Sequence, residues 1–116
     1  MRNALTIEVE DIIQVSAFED VVDRGRRPHH ESRVERNTHA LLDLFDGYGR
    51  LGTFFILGWV AERFPDLVKE IANRGHEVAS HGWSHKLVYN QGKNEFRDET
   101  VRSKKVLEDL IGEAVL

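Results

Sequence analysis

The sequence predicts an α/β protein whose strands are parallel and belong to about three βα units. Short apolar segments typical of strands alternate with amphipathic helical segments along the 116 residues. Alternation of this kind indicates a parallel sheet with right-handed crossovers. Hydrophobic residues make up 41% of the chain and there are only two prolines. We therefore expect one folded domain rather than a disordered segment.

The first predicted strand covers residues 5–9 and ends in a group of acids. Apolar and polar residues alternate along it, as expected of a half-buried strand. Glu8, Glu10 and Asp11 lie where this strand should end. Carboxylates gathered in this way are either solvated or paired with cations. The segment by itself leaves both interpretations open.

The next regular element is a helix that follows an irregular segment, residues 12–31, with a basic loop over 23–30. Ser32 is predicted to cap the helix, because Glu35 follows three residues later as in a capping box. Gly47 and Gly49 are predicted to end it. The predicted buried stripe consists of Val34, Thr38, Leu41 and Phe45.

A second strand and two short helices are predicted in the middle of the chain. Residues 51–58 form a nearly continuous apolar run, which is typical of a central strand covered on both faces. One or two helical turns follow over 59–64, and Pro65 is suited to begin the next helix. Gly75 is predicted to end that helix in a left-handed conformation. Its predicted buried stripe consists of Leu67, Val68, Ile71 and Ala72.

A third strand over 76–80 and a long helix complete the pattern. Asn94 is predicted to cap this helix, which runs to about Leu110, and Gly112 is predicted to close it. Residues 113–116 turn apolar again and are interpreted as the possible start of a further strand. The predicted inward-facing residues are Phe96, Leu107, Leu110 and Ile111.

Two histidines, His81 and His85, directly follow the third strand and lie four residues apart. The carboxyl edge of a parallel sheet is where α/β folds bind their ligands. A helical turn would place both imidazoles on one face, and such a pair suits a divalent cation such as zinc. The chain has no cysteine, so a carboxylate would have to complete the site. The alternative is a pair of surface or capping histidines.

Composition also bounds the partners and the location of the chain. The net charge of −4 and the pI near 5.8 give no attraction to nucleic acid or to an anionic membrane. No apolar run approaches the roughly 18 residues of a membrane span. The N-terminus lacks the apolar core of a signal peptide. We therefore expect a cytoplasmic protein without a membrane span.

Three segments on successive strands carry a family resemblance. Thr6–Asp11, Thr53–Phe55 and His81–His85, in that order, resemble the polysaccharide deacetylases of the NodB-homology type, also called carbohydrate esterase family 4. Residues 15–19, 33–38 and 57–65 resemble the subgroup found with exopolysaccharide and exosortase loci. The resemblance implies a partial (β/α) barrel of the NodB type. Residues 1–116 would then be the N-terminal part of the deacetylase domain, truncated before its later motifs.

The resemblance also implies a metal site. Family members hold a divalent metal, usually zinc, with one acid of the first strand and two histidines, so by similarity His81 and His85 are ligands. Glu10 is one candidate for the acid, because Glu8 and Glu10 point to the same face of an extended strand. Asp11 is the competing ligand if the strand bulges there.

Two further roles follow from the same resemblance. Glu8 would be the catalytic base, although the family typically has Asp at this position, and the extra methylene displaces the carboxylate. Trp83, between the two histidines, would offer an apolar wall to a sugar ring; the alternative is that Trp83 only packs the loop.

The implied activity is hydrolysis of acetyl groups on N-acetylhexosamine units of a polysaccharide, a reaction at a non-peptide C–N bond. Acetylated polysaccharide or oligosaccharide would be the partner. The family's later arginine motif and second catalytic histidine have no counterpart here, so we expect weak or no activity from this chain alone. The alternatives are a non-catalytic glycan- or partner-binding module and an amidohydrolase that acts on a small amide.

Overall fold

The computed structural model describes residues 3–11, 14 and 32–115 and contains a three-stranded parallel sheet in the order β1-β2-β3. The predicted α/β class with parallel strands is therefore confirmed. The predicted basic loop and the rest of residues 12–31, apart from Gln14, lie outside the described residues. The elements are β1 (Thr6–Val9), α1 (Val34–Gly47), β2 (Thr53–Ile56), α2 (Gly58–Arg63), α3 (Pro65–Asn73), β3 (Glu77–Ser80) and α4 (Lys93–Ile111), with a 3-10 turn at Val88–Asn90.

The register of the sheet aligns the ends of its three strands. Val9 pairs with Ile56, and Ile56 pairs with Ser80. The residues that directly follow β1 and β3, Glu10 and His81, therefore leave the sheet at the same edge. This alignment brings together two segments about 70 residues apart in the sequence.

The hydrophobic core lies between the sheet and the helices. Burying one aliphatic or aromatic side chain contributes about 1.5–3 kcal/mol to the stability of the fold.

The strand β2 is shorter than the predicted run 51–58. It begins at Thr53, and Leu51, which lies before the strand, is 64% exposed. Thr53 and Phe55 are half-buried, so one face of β2 is covered less than the other. The largest fully buried side chains of the core include Phe54, Leu42, Ile56, Leu57, Leu67, Ile71 and Leu107.

The predicted start of α1 is wrong. The helix begins at Val34 with Arg33 as N-cap, and no side chain caps it, so Ser32 and Glu35 do not form a capping box. Leu42, rather than Leu41, is fully buried. Leu42 follows Val34 by eight residues, which keeps it on the helix face toward the core.

The predicted start of α4 is also wrong. Gly92 is the N-cap, and its backbone N–H donates to the Glu95 carboxylate at 3.4 Å, so Asn94 is not the cap. The predicted inward-facing position of Phe96 is wrong, because Phe96 is 45% exposed and lines a cavity beside the loop after β3. Leu107 is fully buried, as predicted.

The predicted breaks between elements are confirmed. Pro65 begins α3 directly after α2, and Gly75 and Gly112 have φ angles of +86° and +74°. Val115 packs into the core, although residues 113–115 form no strand. In the described part of the chain, no helix combines the length and apolarity that crossing a bilayer requires.

Candidate metal centre

One carboxylate and two imidazoles converge at the aligned end of the sheet. Glu10 Oε2 lies 3.6 Å from His81 Nε2 and 3.3 Å from His85 Nε2. The three side chains are between 18% and 25% exposed. Within residues 3–11, 14 and 32–115, they are the one group of three His or acidic residues whose donor atoms lie within 4.8 Å of one another.

The donor atoms of this group fit a divalent cation. Glu10 Oε2 and His81 Nε2 are buried and have no hydrogen-bond partner. Buried polar atoms without partners are costly, and a cation between them would satisfy both. One carboxylate with two imidazoles is also a donor set that zinc uses. The two histidines and Glu10 are therefore the residues that could hold a metal here.

The loop between the two histidines is not the helical turn considered from the sequence. Residues 81–85 form an irregular segment in which Gly82 has φ +78° and His85 has φ +61°. The imidazole rings still approach to a centroid distance of 5.0 Å. A side-chain-bearing residue rarely takes a left-handed conformation, and clusters of such residues mark functional sites. The backbone path, rather than helical periodicity, brings His81 and His85 together.

The orientation of His85 is set by a backbone carbonyl. His85 Nδ1 lies 2.8 Å from the carbonyl oxygen of Gln14. A carbonyl only accepts, so Nδ1 carries the proton and Nε2 presents its lone pair toward Glu10. Sequence reasoning missed Gln14, because a backbone acceptor has no residue-type signature.

The three acids near the end of β1 occupy different environments. Asp11 is 7% exposed, and its backbone N–H donates to Gln14 Oε1 at 2.9 Å. The structure groups Glu10, not Asp11, with the histidines. Glu8 is exposed on β1, and all three acids line a cavity of about 570 Å³ between β1 and α1. The roles of Glu8 as base and of Asp11 as competing ligand stay predictions.

Trp83 packs beneath the loop that carries the histidines. Its side chain is 8% exposed. A Cβ on Gly58 would lie 2.3 Å from the ring, and the Arg102 guanidinium lies 3.5 Å from the ring centroid. These contacts favour the packing interpretation, and contact between Trp83 and a sugar ring stays a prediction.

A closed ring of hydrogen bonds fixes the start of the same loop to α4. Ser103 Oγ–H donates to the Gly82 carbonyl at 2.9 Å, and the Gly82 N–H donates to Ser80 Oγ at 3.2 Å. The two serine oxygens are 2.8 Å apart. Because the Ser103 proton is already used, Ser80 donates to Ser103. Ser103 is fully buried, and sequence reasoning missed it.

Comparisons with known proteins agree with this geometry. The family described as "Polysaccharide deacetylase" matches residues 16–116. A peptidoglycan-N-acetylglucosamine deacetylase of Bacillus cereus is 36% identical over 77 residues, which are 66% of this chain and 28% of that protein. The crystal structure of the Bc1960 peptidoglycan N-acetylglucosamine deacetylase is 28% identical, with a TM-score of 0.70, over 96% of this chain and 42% of that one.

A solved structure with a different activity is also similar. The PuuE allantoinase is 28% identical, with a TM-score of 0.63, over 66% of this chain and 25% of that one. The chain thus spans less than half of the length of each of these relatives. Their likeness confirms the predicted α/β fold of the NodB deacetylase type. The match over residues 16–116 shows that this chain belongs to the polysaccharide deacetylase family.

Proposed function

We propose that the chain forms the metal centre of a hydrolase that removes acetyl groups from N-acetylhexosamine units of a polysaccharide. The observation that carries the proposal is the convergence of Glu10 with His81 and His85, including two buried donor atoms without partners. Family membership and the similarity to the peptidoglycan-N-acetylglucosamine deacetylase of Bacillus cereus support the substrate class.

Glu10, His81 and His85 would hold the cation, and zinc is the first candidate because of the donor set. When bound, a divalent cation polarises an acyl carbonyl and lowers the pKa of water. The hydrogen bond from His85 Nδ1 to Gln14 keeps the lone pair of His85 Nε2 available to the site.

Glu8 would accept the proton of the water that attacks the acyl carbon. Glu8 lies in β1 two residues before Glu10, which directly follows that strand, and both residues line the cavity beside β1. A general base must lie within hydrogen-bond reach of the proton that it takes. Glu8→Gln is therefore expected to lower turnover without changing the affinity for metal.

Calorimetric titration of the chelator-treated chain with zinc or cobalt is the direct test. We expect one ion per chain, with binding lost in the His81→Ala, His85→Ala double variant. His39→Ala is the matched control, since His39 lies on α1 beside Glu70 and should bind metal normally. Release of acetate from an N-acetylglucosamine oligosaccharide then tests the activity, which we expect to be weak or absent in this chain alone. If the double variant still binds metal, the proposal is contradicted.

A second candidate function is hydrolysis of a small amide. The similarity to the PuuE allantoinase favours it, because the same metal chemistry serves any acyl–nitrogen bond. A panel of acetylated oligosaccharides and small cyclic amides separates the two. Glycan binding that a chelator does not abolish, without turnover of either substrate, would instead favour the non-catalytic module, in line with Glu8 at the base position.

A further inference from the structure

The histidine loop, residues 81–86, contacts α4 through a second set of hydrogen bonds centred on Glu99. Ser84 Oγ–H lies 2.8 Å from Glu99 Oε1 and 3.0 Å from Glu99 Oε2. Glu99 is partly buried on the side of α4 that lines a cavity of about 320 Å³ beside both histidines. Because Ser84 directly precedes His85, Glu99 holds the residue on one side of that ligand.

The residue on the other side of His85 is held by the same carboxylate through an amide. Gln91 Nε2 donates to Glu99 Oε2 at 3.0 Å and to the Lys86 carbonyl oxygen at 3.2 Å. The Lys86 ammonium also donates to Glu95 at 2.7 Å, one helical turn before Glu99. Both neighbours of His85 are therefore tied to the first two turns of α4, Ser84 through its hydroxyl and Lys86 through its carbonyl and ammonium groups.

His85 requires this support because its backbone is unfavourable. Its φ angle of +61° is rare for a residue with a side chain. Such a conformation persists only when the surrounding structure determines it. The Ser103 ring of hydrogen bonds fixes the loop at Gly82, whereas the contacts of Glu99 fix it at the His85 end.

We propose that Glu99 is a positioning residue that, through Ser84, holds His85 in the orientation that binds the divalent cation. This inference rests on the proposed function, since it requires a metal at Glu10, His81 and His85. Glu99 does not belong to that donor group and acts by lowering the cost of ordering the loop before binding. Residues that hydrogen-bond a metal ligand directly typically contribute about 10–100-fold to metal affinity, and Glu99, which acts through Ser84, is expected to contribute at the lower end of this range.

Calorimetric titration of the chelator-treated chain with zinc measures this contribution. We expect Glu99→Ala and Ser84→Ala each to weaken zinc binding about tenfold, the lower end of the range for direct partners of metal ligands. Glu99→Gln keeps one oxygen that accepts from Ser84, so its loss should be smaller. The double variant of Ser84 and Glu99 should bind no more weakly than the worse single variant, because Glu99→Ala already removes the interaction that Ser84→Ala removes. Circular dichroism checks that each variant is folded.

Asp98→Ala is the matched control. Asp98 is exposed and adjacent to Glu99 on the same helix, so its removal changes the net charge equally without touching the loop. We expect zinc affinity close to that of the unaltered chain. Equal losses of zinc affinity in Asp98→Ala and Glu99→Ala would overturn the positioning role. Additive losses of zinc affinity in the double variant of Ser84 and Glu99 would do the same. Either result would leave the metal site itself uncontradicted.

A different result would count against the proposed function itself. If the unaltered chain binds no zinc, or binds it equally well after His81→Ala and His85→Ala, the metal centre is absent and the role of Glu99 falls with it. If zinc binding needs the histidines but ignores Glu99, only the positioning role is wrong.

Discussion

At the scale of single residues, the candidate site depends on the close packing of uncharged residues as much as on its charged groups. Gly58 illustrates this, because the ring of Trp83 occupies the space where a side chain would begin. The Gly58 N–H also donates to the Gly82 carbonyl oxygen at 2.9 Å. The absence of a side chain at residue 58 therefore lets α2 approach the loop that carries the histidines.

We expect Gly58→Ala to destabilise the fold. The new Cβ would lie 2.3 Å from the Trp83 ring, and Arg102 lies over that ring, so relief requires a shift of the loop. Overpacking of this kind costs about 1–3 kcal/mol. Urea denaturation measures the difference. Gly47→Ala is the control, because its Cβ meets no atom within 4 Å, and equal unfolding midpoints for the two variants would contradict the prediction.

A second residue, His76, lies at the opposite end of the sheet from the site and is 5% exposed. Its Nδ1 accepts the Gly52 N–H at 3.1 Å, so the neutral ring carries its proton on Nε2. The ring lies 4.9 Å from that of Phe54 and 5.4 Å from that of Phe45, measured between centroids. Protonation would break the bond to Gly52 and place a charge among aromatic rings.

The stability of the fold should therefore decrease in mild acid. Burial lowers the pKa of His76, and Arg74 lowers it further, while Asp46 opposes the shift. The unfolded chain, whose histidines titrate near pH 6.5, then binds the proton more readily than the folded chain. The free energy of unfolding should fall as the pH decreases below about 6.5, until the pH passes the folded-state pKa.

Urea unfolding in the presence of a chelator, between about pH 7.5 and about pH 5.5, measures this dependence above the range where most carboxylates titrate. His76→Gln keeps an acceptor for the Gly52 N–H and does not titrate, so its stability should change less over the same range. An unchanged slope in this variant would refute the assignment to His76.

At the scale of elements, α4 has two functions along its length. Its first three turns contact the histidine loop through Glu95, Glu99 and Ser103, whereas its second half packs into the core through Leu107. The position of the loop is therefore coupled to the docking of this helix.

Leu107→Ala should measure how strongly the second half is docked. Leu107 is fully buried, and truncation of such a residue costs about 2–5 kcal/mol. Val101→Ala on the same helix removes a side chain that is 58% exposed and should change stability by less than about 0.5 kcal/mol. Chemical denaturation of both variants compares them. Similar losses would show that the helix is not docked as described.

The elements also show what the sequence could predict. The break at Pro65 and the glycine stops at Gly75 and Gly112 were predicted, because local backbone geometry determines them. The predicted caps at Ser32 and Asn94 were wrong, because neither helix begins with a polar side chain as its cap: Arg33 is the N-cap of α1 without a side-chain hydrogen bond, and Gly92 is the N-cap of α4. A pattern of side chains does not contain that information.

The same distinction holds within the candidate site. His81 and His85 follow a recognisable strand, and the alternation of β1 favours Glu10 beside Glu8. The contact between Ser84 and Glu99 spans 15 residues and depends on the path of the intervening loop, which no period describes. Glu99 follows Glu95 by one helical turn, and like charges at this spacing repel each other. The pair was therefore a weak indication in the sequence that these carboxylates have partners outside the helix.

At the scale of the whole molecule, the metal centre would join the two outer strands of the sheet. Glu10 follows β1 and both histidines follow β3, with β2 between them. An ion held by Glu10 and the two histidines would bind only the folded chain, because the unfolded chain does not keep these three side chains together. Metal binding and folding are therefore expected to be coupled.

Zinc should raise the unfolding stability of the chain in a concentration-dependent manner. A ligand that binds only the folded state contributes about 2.7 kcal/mol at a free concentration of 100 times its Kd. Thermal or urea unfolding with and without zinc measures this. The His81→Ala, His85→Ala double variant should show no such gain, and an equal gain in that variant would place the bound ion elsewhere.

The register of the sheet also limits how the gene can change in length. Val9, Ile56 and Ser80 lie in one row, and inserting one residue into β1 would turn Glu10 to the opposite face of the sheet. Insertions in the connecting segments leave that row intact. Searches for distant relatives, and chimeras made from them, should therefore hold the three short blocks around Glu10, Ile56 and His81 fixed. The number of codons can vary only in the loops that connect the strands and helices between these blocks.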